Sequence, residues 1–165
     1  MTENGLGIYL NDHLAGAAFG SDLARQIHKH SEGTSLGQVM DSLATEIEAD
    51  RQALVDLMER LGTPKNPVKQ ATAWMAEKAS RLKLSGVTAG DAGHGTFLAL
   101  ETLSLGVEGK LSLWIALKTV ADAYPALETA ELDRLIERAA AQRSILERER
   151  VAAGRQALRR DDASA

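Results

Sequence analysis

Apolar residues recur every three or four positions along most of the chain, a spacing typical of helices that bury one face. The first such stripe, between residues 6 and 29, consists of Leu6, Leu10, Ala17, Gly20, Ala24 and Ile27. The second, between residues 35 and 61, consists of Leu36, Met40, Leu43, Ile47, Leu54, Leu57 and Leu61. The pattern therefore predicts two long helices joined by a short polar turn from His30 to Gly33.

The rest of the chain predicts three more helices. Their ranges are 68–83, 96–123 and 129–158. The shortest of them carries Trp74 as an apolar anchor, and a glycine-rich loop over residues 85–95 follows it. We expect Trp74 to be buried where this connecting helix packs on the others.

Glycine, proline and threonine mark the predicted helix ends. Gly62 and Pro64 follow the second helix, in the order that helix C-termini favour. Thr129 is predicted to cap the last helix, because a threonine side chain can accept a bond from a free backbone N–H. Gly106 and Gly109 lie inside the third long helix, where we expect a bend, a close contact or a local break.

No segment shows the alternation of a strand, so the predicted class is all-α. Short connections make the first two long helices antiparallel to each other, and likewise the last two. More than 30 residues separate the two pairs, which is enough for a crossover along the bundle. The chain is thus predicted to be one helical-bundle domain over residues 1–165, with a disordered tail at 159–165.

This topology resembles the ferritin-like superfamily, a four-helix bundle with one long crossover. The resemblance covers Leu6 to about Ala153 and rests on topology. In that family two helices each supply a Glu, two others each supply Glu-x-x-His, and together these bind two metal ions. The second and fourth long helices here contain no histidine, and none of the four histidines follows a Glu at that spacing. The resemblance therefore implies the fold without the di-metal chemistry, and we expect no metal and no cofactor.

Composition narrows the function classes further. The formal net charge of −4 argues against nucleic-acid binding, which needs surplus Lys and Arg. The absence of cysteine excludes disulfides and thiolate chemistry. No signal peptide is visible, and no apolar run reaches the roughly 20 residues that span a bilayer. We therefore expect a cytoplasmic protein that does not enter membranes.

A polar layer across the middle of the bundle is the strongest candidate site. His13 and Asp50 each occupy a stripe position where an aliphatic residue is expected, and antiparallel pairing brings them to one level. The predicted layer consists of Asp12, His13, Asp50, Lys110, Gln142 and Arg143. Three interpretations remain open: a paired layer that fixes helix register, a pocket for a small ligand or anion, and a metal site.

A patch of small residues on the first helix also permits close contact. Gly16 and Gly20 lie four residues apart among alanines. Packing within the chain and a homodimer contact are both compatible with this spacing. The predicted function is a non-enzymatic binding or assembly protein, with a homodimer as one form of assembly. The alternatives are a divergent metal-binding or oxidoreductase member of the superfamily, and a small-molecule binder that uses the polar layer.

Overall fold

The computed structural model describes residues 5–65 and 92–159, and this part of the chain is almost entirely helical. The helices are α1 (Gly5–His30), α2 (Ser35–Arg60), α3 (Ala92–Lys118) and α4 (Thr129–Ala157), with a 3₁₀ turn at Ala121–Ala123. The described residues contain no strand, which confirms the all-α prediction. The predicted helix over 68–83 with Trp74, most of the predicted loop over 85–95 and most of the predicted tail lie outside the described residues.

The turn between α1 and α2 and the end of α2 follow local rules. Thr34 caps α2, because its side-chain oxygen accepts a bond from the Gly37 N–H at 3.1 Å. At the other end Gly62 adopts a left-handed conformation with φ +64°, which glycine reaches without strain. The Thr63 N–H then bonds to the carbonyl of Met58 at 2.9 Å, as predicted for a glycine-terminated helix.

Two predicted boundaries of the later helices were wrong. α3 begins at Ala92, so Gly93 and Gly95 of the predicted loop are helical. Glycine costs a helix only about 1 kcal/mol, and burial of Phe97 and Leu100 just beyond offsets that cost. α3 also ends at Lys118 instead of residue 123, and its last carbonyls accept 3₁₀-type bonds before the short turn.

The cap of α4 also differs from the prediction. Thr129 is the first helical residue, and Glu128 holds the cap position without a side-chain cap bond. Glu131, one turn further, provides the negative charge that suits a helix N-terminus. It also forms an ion pair with Arg60 of α2 at 2.5 Å, so the helix start is fixed by tertiary contact instead of by a cap.

The four helices pack around two apolar clusters at opposite ends of the bundle. The first cluster includes Leu10, Leu57, Trp114 and Leu132, and the second includes Ile27, Met40, Leu103 and Leu146. α1 and α4 therefore run in one direction, and α2 and α3 run in the other. α1 packs against α2 and α3, while α4 packs against α3 and more loosely against α2. The described residues thus form a four-helix bundle in which α2 and α3 run in the same direction, as a crossover along the bundle requires.

α3 differs from the other helices because apolar residues surround nearly its whole circumference. Its inner side faces the core. Its outward row, called the outer stripe below, consists of Leu98, Thr102, Leu105, Gly109, Ser112 and Ala116. None of these residues is charged, and each is at least partly exposed. Gly106 and Gly109 do not interrupt the helix, and a Cβ at either would meet no described atom within 4 Å, so no close contact or break explains them.

Candidate functional site

Asp50 lies at the centre of the bundle, between the two apolar clusters. It occupies the core stripe of α2 between Ile47 and Leu54, and its side chain is completely inaccessible to solvent. A carboxylate removed from water in this way requires compensating charges and hydrogen bonds. The neighbouring helices supply both.

Lys110 of α3 and Arg138 of α4 bring positive charge to this carboxylate. The Lys110 Nζ donates to Asp50 Oδ2 at 2.5 Å and to Gln142 Oε1 at 2.5 Å. The Arg138 Nε donates to Asp50 Oδ1 at 2.7 Å, and its Nη2 forms an ion pair with the same oxygen. Each oxygen of Asp50 therefore has a cationic partner.

Gln142 completes the network from α4. Its Nε2 donates to Asp50 Oδ2 at 3.1 Å and to Glu46 Oε2 at 3.0 Å, while its Oε1 accepts from Lys110. Gln142 is fully buried, and all of its described polar contacts lie within this group. We call Glu46, Asp50, Lys110, Arg138 and Gln142 the Asp50 cluster.

The charges of the Asp50 cluster balance, with two carboxylates against one ammonium and one guanidinium. Burial lowers the pKa of Lys110, and the nearby Asp50 carboxylate opposes that shift. The Arg138 side chain is 37% exposed, so solvent reaches the cluster on the side of α4. The chemistry of the cluster is charge pairing: the donors and acceptors that a bound molecule would use are already engaged with one another.

The structure brings together three of the six predicted site residues and leaves three outside. Asp50, Lys110 and Gln142 meet as described. The His13 ring instead packs edge-on against Tyr9 with ring centroids 4.6 Å apart, and burial lowers its pKa. The two described cations compensate the Asp50 carboxylate more strongly than a neutral imidazole would, which explains why the predicted His13–Asp50 pair was wrong.

The other two predicted members lie at the surface. Asp12 is exposed on α1. Arg143 also points away from the cluster and forms a surface ion pair with Glu108, Nε to Oε2, at 2.7 Å. Gln142 and Arg143 are consecutive on a helix and so face different directions, which means that only one of them can enter the core.

Glu46 and Arg138 are members that the sequence interpretation missed. Each lies four residues before a predicted member, Glu46 before Asp50 and Arg138 before Gln142. Positions four apart share one helix face, so this spacing was the signal that would have found them.

A second polar contact joins α1 to α2 nearer the surface. Ser21 Oγ donates to Glu48, which also accepts from Arg51 Nη2 at 2.5 Å. The hydrogen bonds from Arg51 and, second, from Ser21 lower the pKa of Glu48 to about 2. This contact joins a fully buried serine of α1 to a partly exposed carboxylate of α2 and helps to fix how the two helices pair.

The ligands of a di-metal site are not gathered in the described part of the chain. Within residues 5–65 and 92–159, no three His, Asp or Glu side chains are placed to share an ion. The Asp50 cluster contains two carboxylates and also two cations beside Asp50, and these cations would repel a metal ion. In the same residues, every helix is too short or too polar to cross a membrane.

Comparison with known proteins gives this chain no relatives: no protein-family model, no curated protein and no solved structure matches it.

Proposed function

We propose that this chain is a non-catalytic helical bundle of the ferritin-like type that serves as an assembly module. The observation that carries the proposal is the position of the Lys110 ammonium, 2.5 Å from both Asp50 Oδ2 and Gln142 Oε1. A cation built into the protein holds the oxygen atoms at the centre of the bundle. In ferritin-like enzymes, metal ions are held there between the helices.

The residues of this chain do not fit a di-metal centre. Its second and fourth long helices lack histidine, so neither can supply Glu-x-x-His. The Asp50 cluster offers two carboxylates and one amide, and both carboxylates already have partners. A paired layer of this kind sets which helix positions meet, because a shift by one turn would leave Asp50 without its cations.

The assembly role is supported by the outside of the bundle. The outer stripe of α3 exposes apolar groups along the helix, with Leu105 62% exposed. A helix that is apolar all round is typical of a buried position, yet among the described residues α3 packs mainly against two helices, α1 and α4. A further surface that covers the stripe would account for its composition.

The proposal is tested by metal content and by the role of Lys110. Protein purified without chelator should contain far less than one equivalent of iron, manganese or zinc, and should not accelerate oxidation of ferrous iron. Lys110→Ala should lower the free energy of unfolding by about 3–5 kcal/mol, because Asp50 then lacks a buried partner. Lys118→Ala is the matched control, since Lys118 pairs with Asp133 at the surface, and should cost at most about 1 kcal/mol. Two tightly bound equivalents of metal in the unmodified protein would contradict the proposal.

A further inference from the structure

The outer stripe of α3 could be buried in an interface at little energetic cost. A Cβ placed on Gly109 would meet no described atom within 4 Å, so a notch remains beside the protruding Leu105. The hydroxyls of Thr102 and Ser112 donate to carbonyls of their own helix at 2.9 Å and 3.0 Å. Covering the stripe therefore leaves neither hydroxyl unpaired.

Large and small residues along the stripe are arranged symmetrically about Val107. Leu105 precedes Val107 by two residues and Gly109 follows it by two, while Leu98 precedes it by nine and Ala116 follows it by nine. Each leucine thus has a glycine or alanine as its symmetry mate. A two-fold axis at the level of Val107 would set every large residue of one α3 against a small residue of an antiparallel second α3.

The remaining pair of the stripe shares the same centre of symmetry but joins two residues of similar size. Thr102 and Ser112 lie five residues before and after Val107 and are of similar size. They would therefore meet as a matched pair between the two leucine contacts.

We propose that the outer stripe of α3 binds a second copy of this chain in an antiparallel, two-fold symmetric contact. Leu105 of each copy fills the notch over Gly109 of the other, and Leu98 packs on Ala116. This inference rests on the proposed assembly function and names its partner.

The charges beside the stripe favour a second copy over other partners. Glu101 and Glu108 border it on the side of α4, where they pair with Arg150 at 3.3 Å and Arg143 at 2.7 Å. Because each acid has its own arginine, two identical borders meet without net repulsion. A nucleic acid or an anionic membrane would require unpaired positive charge, which the stripe itself does not contain.

The length of α3 allows an extended contact with a second copy. Its 27 residues extend about 40 Å at 1.5 Å per residue. To bury the roughly 800 Å² per partner of a standard interface, the contact would extend along this length and include the flanking rows of α1 and α4.

The mass of the protein in solution tests the inference. Sedimentation equilibrium should show a dimer with a dissociation constant below about 100 μM, a range that includes weak physiological dimers. Leu105→Glu should weaken association at least about 30-fold, as expected for the central contact of an interface. Leu158→Glu is the matched control, because Leu158 is 64% exposed at the C-terminal cap of α4, outside the outer stripe, and should leave association unchanged.

An exchange of the large and small residues tests the geometry. Gly109→Leu alone sets two leucines against each other and should weaken the dimer, as should Leu105→Gly alone. The double variant Leu105→Gly with Gly109→Leu restores one large and one small residue in each contact. It should therefore recover association relative to either single variant.

Cysteine cross-linking tests the register directly, since the natural chain has no cysteine. Thr102→Cys with Ser112→Cys should give a covalent dimer on mild oxidation, because the two positions meet across the interface. Within one helix these positions are about 15 Å apart, too far for a disulfide. Thr102→Cys alone should give little covalent dimer, since its two copies are separated by a similar distance.

Several outcomes would overturn the inference. They are a monomeric unmodified protein, a Leu105→Glu variant that associates like the Leu158→Glu control, and equal cross-linking by the single and double cysteine variants. A monomer that Leu105→Glu destabilises would show instead that the same chain covers the stripe. Failure of the dimer inference is distinguishable from failure of the proposed function. A monomer without bound metal would refute the dimer, but it would remain compatible with assembly on a different partner. Stoichiometric metal at the centre would refute the non-catalytic proposal whether or not the protein dimerises.

Discussion

The Asp50 cluster and the outer stripe of α3 both reverse the usual distribution of polarity, in which charged residues lie at the surface and apolar residues lie inside. The centre of the bundle carries charged side chains, and Asp50 there is fully buried. The outside of α3 carries leucine, glycine and alanine, and Leu105 is 62% exposed. Buried charge and exposed apolar surface are the two deviations from ordinary burial that most often carry information about a protein.

The two regions have different consequences for the fold. Each residue of the Asp50 cluster has a polar partner on another helix, so the cluster specifies how α2, α3 and α4 meet. The outer stripe does not specify any packing within the described chain, because Gly109 has open space where a side chain would lie. The Asp50 cluster is therefore determined by contacts within the described chain, while the stripe is open to an external contact.

Removal of the central carboxylate should have the largest effect on stability. Asp50→Leu leaves Lys110 and Gln142 buried without their partner, and should lower the free energy of unfolding by about 3–5 kcal/mol in chemical denaturation. Adding Lys110→Met removes the stranded ammonium, so the double variant should be less damaging than the sum of the single ones.

The control for this experiment is Asp133→Asn, which removes a carboxylate that pairs with Lys118 at the surface. Its side chain is 46% exposed, and the change should cost at most about 1 kcal/mol. If Asp50→Leu were no more damaging than Asp133→Asn, the Asp50 cluster would not hold the helices in register.

Two glycine substitutions should show a smaller difference in unfolding free energy between the packed interior and the open surface of α3. A Cβ on Gly37 would overlap the backbone carbonyl of Ser31, so Gly37→Ala should destabilise the fold by about 1–3 kcal/mol. Gly106→Ala meets no described atom and should raise the free energy of unfolding by up to about 1 kcal/mol, through helix propensity. Thermal unfolding of both variants beside the unmodified protein measures the difference. A destabilised Gly106→Ala would mean that the side of α3 next to the stripe is already occupied.

The contrast between core and surface also explains which helices and site residues could be predicted from the sequence. The apolar stripes predicted all four described helices, because a period of three or four residues reflects burial along a long element. Asp50, Lys110 and Gln142 could be grouped because helix pairing fixes the level of each residue along the bundle. His13 was placed wrongly, because helix pairing fixes the height of a side chain along the bundle but does not show which of several neighbours it contacts.

The properties of α3 were the hardest to predict. Its inner and outer residues are both apolar, so periodicity could not show which of them face the core. The glycines at 106 and 109 suggested a distortion, although an open helix surface tolerates them. The start of α3 was missed for a related reason, because the tertiary burial of Phe97 and Leu100 outweighs the low helix propensity of nearby glycines.

The smallest expected effect on stability concerns Glu48, whose environment is intermediate between the buried Asp50 cluster and the exposed outer stripe. Its carboxylate is 36% exposed, yet hydrogen bonds from Arg51 and Ser21 lower its pKa to about 2 from the ordinary 4.5. Because the folded protein binds this proton less tightly than the unfolded chain, the contact stabilises the fold fully above pH 4.5. That stabilisation is lost as the pH falls from about 4.5 towards about 2.

Glu48→Gln should therefore flatten the plot of unfolding free energy against pH in this acid range, while stability near neutral pH falls by less than about 1 kcal/mol because solvent screens the pair. Glu59→Gln is the control, since Glu59 pairs with Lys65 at the surface and is 63% exposed. Denaturant midpoints between pH 2 and pH 7 provide the measurement. If Glu48→Gln and Glu59→Gln gave the same slope, the contact between α1 and α2 would be as weak as an ordinary surface ion pair. The Asp50 cluster would then be the stronger electrostatic determinant of how the helices pair.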